Sequence, residues 1–165
     1  MKKILFAILL MAPLSIFAQK FAHFNSSDII PNMKEYTKAM DELKVLGEQL
    51  SSDLKMIEDE FKTKLDAFQK EADKLLENVR ARREKDLQDL QTRYQQSMQD
   101  NQQAFQKAEA EKMQAIQDLV MAALKKVGEA GGYVYVVDTS AGVIPFVNPS
   151  LSTDITPEIK KALGM

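Results

Sequence analysis

The residues that could do chemistry are few, and their types exclude most reactions. His23 is the only histidine and there is no cysteine. One imidazole without thiols cannot build a usual zinc site. Nor can a Ser/His/Asp set form around it, because His23 sits in a short apolar, strand-like stretch, Phe21-Ala22-His23-Phe24. Gly128-Glu129-Ala130-Gly131-Gly132 matches no phosphate-binding fingerprint. Carboxylates are plentiful, yet they recur along solvated helical stretches and mark no evident cleft. No catalytic, metal-binding or cofactor-binding residue is expected, and no enzyme. Asn25-Ser26-Ser27 fits a glycosylation sequon, a match too common to carry weight.

What remains is surface chemistry. Arg80, Arg82, Arg83 and Lys85 lie together, with Glu84 the only acid among them. Such a cluster would meet acidic chain segments or anionic lipid headgroups and would speed encounter. The plainer account is a solvated helical turn. Gln88, Gln91, Gln95, Gln96, Gln99, Gln102, Gln103 and Gln106 could form an uncharged polar wall touching many chains weakly; the simpler and preferred reading is a coat on a helix. Methionine is flexible and polarizable, which suits promiscuous surfaces. Met56 is the candidate contact, because Met40 and Met98 fall on the helical seams described next.

The elements that must carry these residues are long. Between Met33 and Gly128 there is no proline, and Gly47 is the only interior glycine. Apolar residues recur in steps of three and four at Tyr36, Met40, Leu43, Leu50, Leu54, Ile57, Phe61, Leu65, Phe68, Ala72, Leu75 and Val79, a heptad-like seam. A second seam runs through Leu87, Leu90, Tyr94, Met98, Asn101, Phe105, Ala108, Ala115, Leu119, Ala122 and Val127, and Asn101 weakens its middle. Two seams of similar length predict an antiparallel hairpin over 33–128 with its tip near 78–85. One straight helix is the alternative, since that tip holds neither glycine nor proline. The ends of the chain favour the hairpin. Phe21–Phe24 reads as a strand, as does Tyr133-Val134-Tyr135-Val136-Val137, and a hairpin lets them pair. Val143-Ile144-Pro145-Phe146-Val147 reads as a further strand, at an edge or bulge because of Pro145. Asn148 to Asp154 reads as a loop. Thr156-Pro157-Glu158 reads as a capped start for a short last helix.

Segments 19–32 and 129–165 thus form a β-rich base, giving a mainly α, α+β fold. Tyr133–Val137 alternates little, so both faces should be covered. A base this small buries too little alone, so Phe21, Phe24, Tyr133, Val134, Tyr135, Val136, Val137, Ile144 and Phe146 are candidate oligomerisation residues. An intramolecular core is the alternative.

Targeting and charge narrow the setting. Lys2 and Lys3, the apolar run Ile4–Met11 and the small tail ending at Ala18 have the layout of a secretory signal peptide, 1–18. The run is too short to span a bilayer, which needs about 20 apolar residues. Net charge is −2, and loss of the two leader lysines would make it −4. That is no nucleic-acid profile. An exported chain without cysteine must be stabilised by packing and assembly.

Taken in order, these parts resemble the Skp/OmpH family of periplasmic chaperones. The likeness is carried by the strand and turn Phe21–Ile30, the long charged helices, Tyr133-Val134-Tyr135-Val136-Val137-Asp138, and the close Asp154-Ile155-Thr156-Pro157-Glu158-Ile159 through Leu163. It covers essentially the whole chain after Ala18. The resemblance implies a soluble periplasmic homotrimer. Its strands would share a barrel-like body, and its helical arms would enclose a cavity for unfolded outer-membrane proteins, without ATP. The basic cluster would sit at the arm tips, within reach of a membrane surface. The acidic balance departs from the strongly basic members and argues against a general attraction to anionic lipid. A structural coiled-coil spacer of the envelope, without clients, is the rival reading.

Overall fold

Alternation sets the first element. In Lys20–Phe24 (β1), Ala22 and Phe24 are buried while Phe21 is exposed, the period-two pattern of a half-covered strand. The computed structural model describes residues 19–165, and the expected leader, 1–18, lies outside them. After β1 come two 3-10 turns, Ser26–Asp28 and Ile30–Asn32, then helix Lys34–Glu71 (α1) and a 3-10 turn at Ala72–Lys74. Helix Glu77–Gly131 (α2), strands Tyr133–Asp138 (β2) and Ser152–Asp154 (β3), and helix Thr156–Ala162 (α3) complete the order. The protein is mostly helical with a three-stranded sheet, as its sequence predicts. It divides into two units: residues up to Asp28 with Ala123–Gly164, and Ile29–Ala122.

In the first unit β1 is the central strand, in the order β2-β1-β3, and both pairings are parallel. The two chain ends do meet, with Phe21 opposite Tyr135 and Ala22 opposite Val136. Two glycines mark the passage from α2 to β2. Gly132 has φ of 67° and donates its N–H to the Glu129 carbonyl, a left-handed helix cap. At Gly131 an added Cβ would stand 2.1 Å from the Tyr133 ring. The segment Val143–Val147 is not a strand. Its Pro145 lacks an N–H for a ladder, and Val143 and Phe146 are exposed. The place beside β1 is taken by Ser152–Asp154, a segment that reads as loop in sequence. Asn148 prepares it: its carbonyl accepts the N–H groups of Leu151 and Ser152, and its side chain accepts that of Ser150. Thr156 is not the cap of α3. Its hydroxyl accepts the Asn25 N–H at 3.1 Å, and the Asp154 carboxylate accepts the Thr156 N–H at 2.9 Å. Ala22, Phe24, Ile155 and Ile159 are the deeply buried apolar side chains at this end of the fold.

In the second unit polar contacts link α1 to α2. Lys112 pairs with Glu42, and Asn101 Nδ2 donates to the Leu50 carbonyl at 2.9 Å. Arg93 lies 3.9 Å from Glu60, and Arg83 donates to Glu71 at 2.7 Å. Positions on one helix rise as those on the other fall. Two details depart from expectation. The break between the helices lies at Ala72–Leu76, and 78–85 forms the opening turns of α2. Leu75 takes an extended backbone (φ −79°, ψ 143°) open to any residue, so neither glycine nor proline is needed. The Asn25 side chain accepts the Ser27 N–H at the start of the turn Ser26–Asp28, and the N-cap of α1 is Met33. Finally, the second seam changes phase. Met98 and Leu119 are exposed, Ala115 and Ala122 likewise, while Lys112, Ile116, Val120 and Ala123 are covered; Val127, the last seam position, is partly covered as expected. A strict heptad drifts about 20° per repeat against a straight helix. Here the helix keeps its own period, and the buried row slips by one residue.

Candidate binding surfaces

The helix pair offers shallow grooves lined from both helices. One, of about 470 Å³, is lined by Phe61, Leu65, Leu90 and Tyr94, with Glu58, Lys62 and Gln91 at its margin. Its walls follow from the seams: Phe61 and Leu65 come from α1, Leu90 and Tyr94 from α2, and Leu90 is buried. A second groove, of about 380 Å³, is polar and is lined by Asp53, Met56, Ile57, Glu60, Arg93, Ser97 and Asn101. Met56 stands at its edge, 62 % exposed, as expected of an off-seam methionine. Ion pairs on exposed helix faces tune the nearby carboxylates. The ammonium of Lys62 beside Glu58 holds that carboxyl below its usual value, and Lys64, with Arg93 further off, does the same for Glu60. Glu42 is held low by Lys112, then by Lys38. Exposed pairs of this kind add little stability.

The basic cluster is less free than its sequence suggests. Arg80 donates to Glu84 at 3.1 Å and Arg83 to Glu71, while Arg82 and Lys85 are exposed. Glu71, twelve residues before Arg83, reaches it across the break at Ala72–Leu76. No spacing rule would have found it.

On the sheet, Phe21 and Tyr135 stack, with ring centroids 6.3 Å apart and planes 5° apart. Tyr135 is 68 % exposed and Val134 46 %, so within one chain β2 is not covered on both faces. Tyr133, Val136, Val137 and Ile144 are partly covered, Phe24 is buried, and Phe146 is exposed. The candidate residues therefore divide: Phe24 is core, whereas Phe21, Val134, Tyr135 and Phe146 present apolar surface. Sequence reading overlooked the hydrogen bonds that hold the strand ends. Asp138 Oδ1 accepts from the Ser26 N–H, the Ser140 N–H and the Ser140 hydroxyl. Burial raises that carboxyl, but the serine hydrogen bonds outweigh it and the net shift is downward. Asp154 is lowered by hydrogen bonding from Thr156 against a burial penalty. His23 Nδ1 lies 2.9 Å from the Ser152 hydroxyl, a satisfied position between two strands. Among the described residues no cluster of metal-ligating side chains occurs, and no helix is long and apolar enough to cross a membrane.

Comparison with known proteins bears on this assembly of parts. No curated protein matches the chain. A crystal structure described as an OmpH-like outer membrane chaperone from Caulobacter crescentus CB15 superposes with a TM-score of 0.75 at 16% identity, covering 88% of this chain and 83% of that one. At that identity the likeness is one of fold. The model of the family "Outer membrane protein (OmpH-like)" matches residues 20–163, from the first strand to the last helix. A match over so much of its length places this chain in the OmpH-like family of outer membrane proteins.

Proposed function

We propose that this protein is an ATP-independent periplasmic holdase that keeps unfolded outer-membrane β-barrel proteins from aggregating. One observation carries the reading: an OmpH-like chain presents open, partly apolar grooves along paired helices. Open grooves suit many weak contacts, and multivalent contact retains a chain without a deep pocket. In this reading α1 and α2 form an antiparallel hairpin arm, supported by the contacts of Glu42 with Lys112, Leu50 with Asn101, and Glu71 with Arg83. The sheet is the oligomerisation body. Its support is the apolar surface of Phe21, Val134, Tyr135 and Phe146, together with β2 standing at an edge of the sheet, since exposed apolar edges seek a partner. Three copies would enclose the client between their arms. The exposed Arg82 and Lys85 are the residues left to meet a membrane surface. A signal peptide at 1–18 and a periplasmic location complete the reading.

The test is dilution of a urea-unfolded outer-membrane barrel protein into buffer with and without the chaperone, ATP absent. Light scattering should fall in its presence. Scattering unchanged at molar excess would leave the envelope spacer as the better account.

A further inference from the structure

The two sides of α2 differ in charge, and the helix packing shows how. Between Leu87 and Phe105 its covered positions are Leu87, Leu90, Tyr94, Ser97, Asn101 and Phe105. The residues one place after each are Gln88, Gln91, Gln95, Met98, Gln102 and Gln106, all exposed and none charged. The residues one place before each are Asp86, Asp89, Arg93, Gln96, Asp100 and Ala104, of which four are charged. One residue is 100° of helical rotation, so the two sets flank the seam on opposite sides. The grooves report the same division. The apolar groove at Phe61 and Leu65 takes Gln91 into its lining, whereas the polar groove on the other side takes Arg93. The cross-helix ion pairs Glu60–Arg93 and Glu71–Arg83 belong to that charged side.

We infer that the neutral row of α2, with the adjoining groove of Phe61, Leu65, Leu90 and Tyr94, is the client-contact face, and that its occupant is an uncharged extended segment of an unfolded membrane β-strand. The inference rests on the holdase reading and deepens it. Charge complementarity selects the occupant: the row carries no charge, and Glu58 and Lys62 at the groove margin pair with each other, so a charged segment would find no partner there, and buried unpaired charge is costly. Membrane strands alternate apolar and polar side chains and carry little charge on their lipid face. The groove takes the apolar side chains. Each glutamine amide offers both a donor and an acceptor, which matches the unpaired N–H and C=O groups of an extended backbone. Size agrees as well. From Gln88 to Gln106 the row runs about 27 Å at 1.5 Å per residue, against an apolar barrel band about 25 Å tall.

The experiment places a photocrosslinking benzoyl-phenylalanine at Gln95 or Gln102 on the neutral side and at Asp100 or Ala104 on the charged side, in the full chain. The probe is a urea-unfolded outer-membrane barrel protein, and circular dichroism checks each variant's fold. Crosslinking should be several-fold stronger at Gln95 and Gln102. A matched charge test accompanies it: Gln95→Glu with Gln102→Glu should weaken client retention several-fold, while Gln96→Glu with Ala104→Glu should leave it unchanged. Equal crosslinking on both sides, or equal loss from both charge pairs, overturns the inference. Those outcomes are distinct from failure of the wild-type chain to suppress aggregation, which would overturn the holdase reading itself.

Discussion

Gly47 lies in the middle of α1, at a covered position facing α2, where an added Cβ would stand 3.5 Å from the Phe105 ring. That is ordinary van der Waals distance. Gly47→Ala therefore adds a methyl without a clash and removes the backbone freedom that makes glycine a poor helix residue. The helix term is about 0.8–1.0 kcal/mol in favour of alanine. Contact with Phe105 adds a fraction of the roughly 0.8 kcal/mol that a buried methylene contributes. Together they predict stabilisation of about 1 to 1.5 kcal/mol, at the upper end a little more than tenfold in an equilibrium constant. For a chain of this size the melting temperature should rise by about 2–6 °C. Thermal melts by far-UV circular dichroism read the global effect. Amide hydrogen exchange across Leu43–Ser51 reads the local one, because a glycine soft spot opens by local unfolding. Exchange there should slow several-fold. A lower melting temperature, or faster exchange confined to Leu43–Ser51, would mean that Phe105 has no room to give. The glycine would then be required by close packing and would not be a point of flexibility.

Three further perturbations test other joints. Asn101→Leu replaces a polar seam residue and its hydrogen bond to the Leu50 carbonyl with apolar packing. It should raise the denaturation midpoint yet broaden the spin-label distance distribution between Lys55 and Gln99, because a polar seam residue specifies register at a cost in stability; an unchanged width would remove that role. Gly132→Ala forces a Cβ onto a backbone at φ 67° and should destabilise the sheet by about 1–2 kcal/mol, with no loss in a denaturation series counting against the left-handed cap. Asp138 and Asp154 have lowered carboxyl pKa values. Their stabilisation is present above the unfolded-state carboxylate value of about 3.9 and is lost as pH falls through the lower folded values. Midpoints measured from pH 6 down to pH 2 should fall on the acid limb, and Asp138→Asn should flatten that fall; an equally steep limb in the variant would show that its serine hydrogen bonds are not linked to folding.

Local patterning was enough for the elements themselves. The proline-free span from Met33 to Gly128, with apolar steps of three and four, can only be helix, because that spacing builds one continuous apolar face. Gly131 and Gly132 mark its end, and the β-branched and aromatic run from Tyr133 marks the strand that follows. The family likeness was legible in the order of these parts. Other features were settled by contact between remote segments. The break at Ala72–Leu76 uses an extended conformation that any residue adopts, so composition carries no trace of it. Ser152–Asp154 is a strand only because the edge of β1 is there to receive its backbone, and Val143–Val147, better suited by residue type, is kept out where Pro145 offers no donor. The phase of the second seam past Ala108 depends on whether the helices supercoil or stay straight, a property of the pair that neither strand of sequence contains. The glutamines of α2 were legible as a polar run, and the covered positions Leu87 to Phe105 show that Gln88, Gln91, Gln95, Gln102 and Gln106 share one side of that seam.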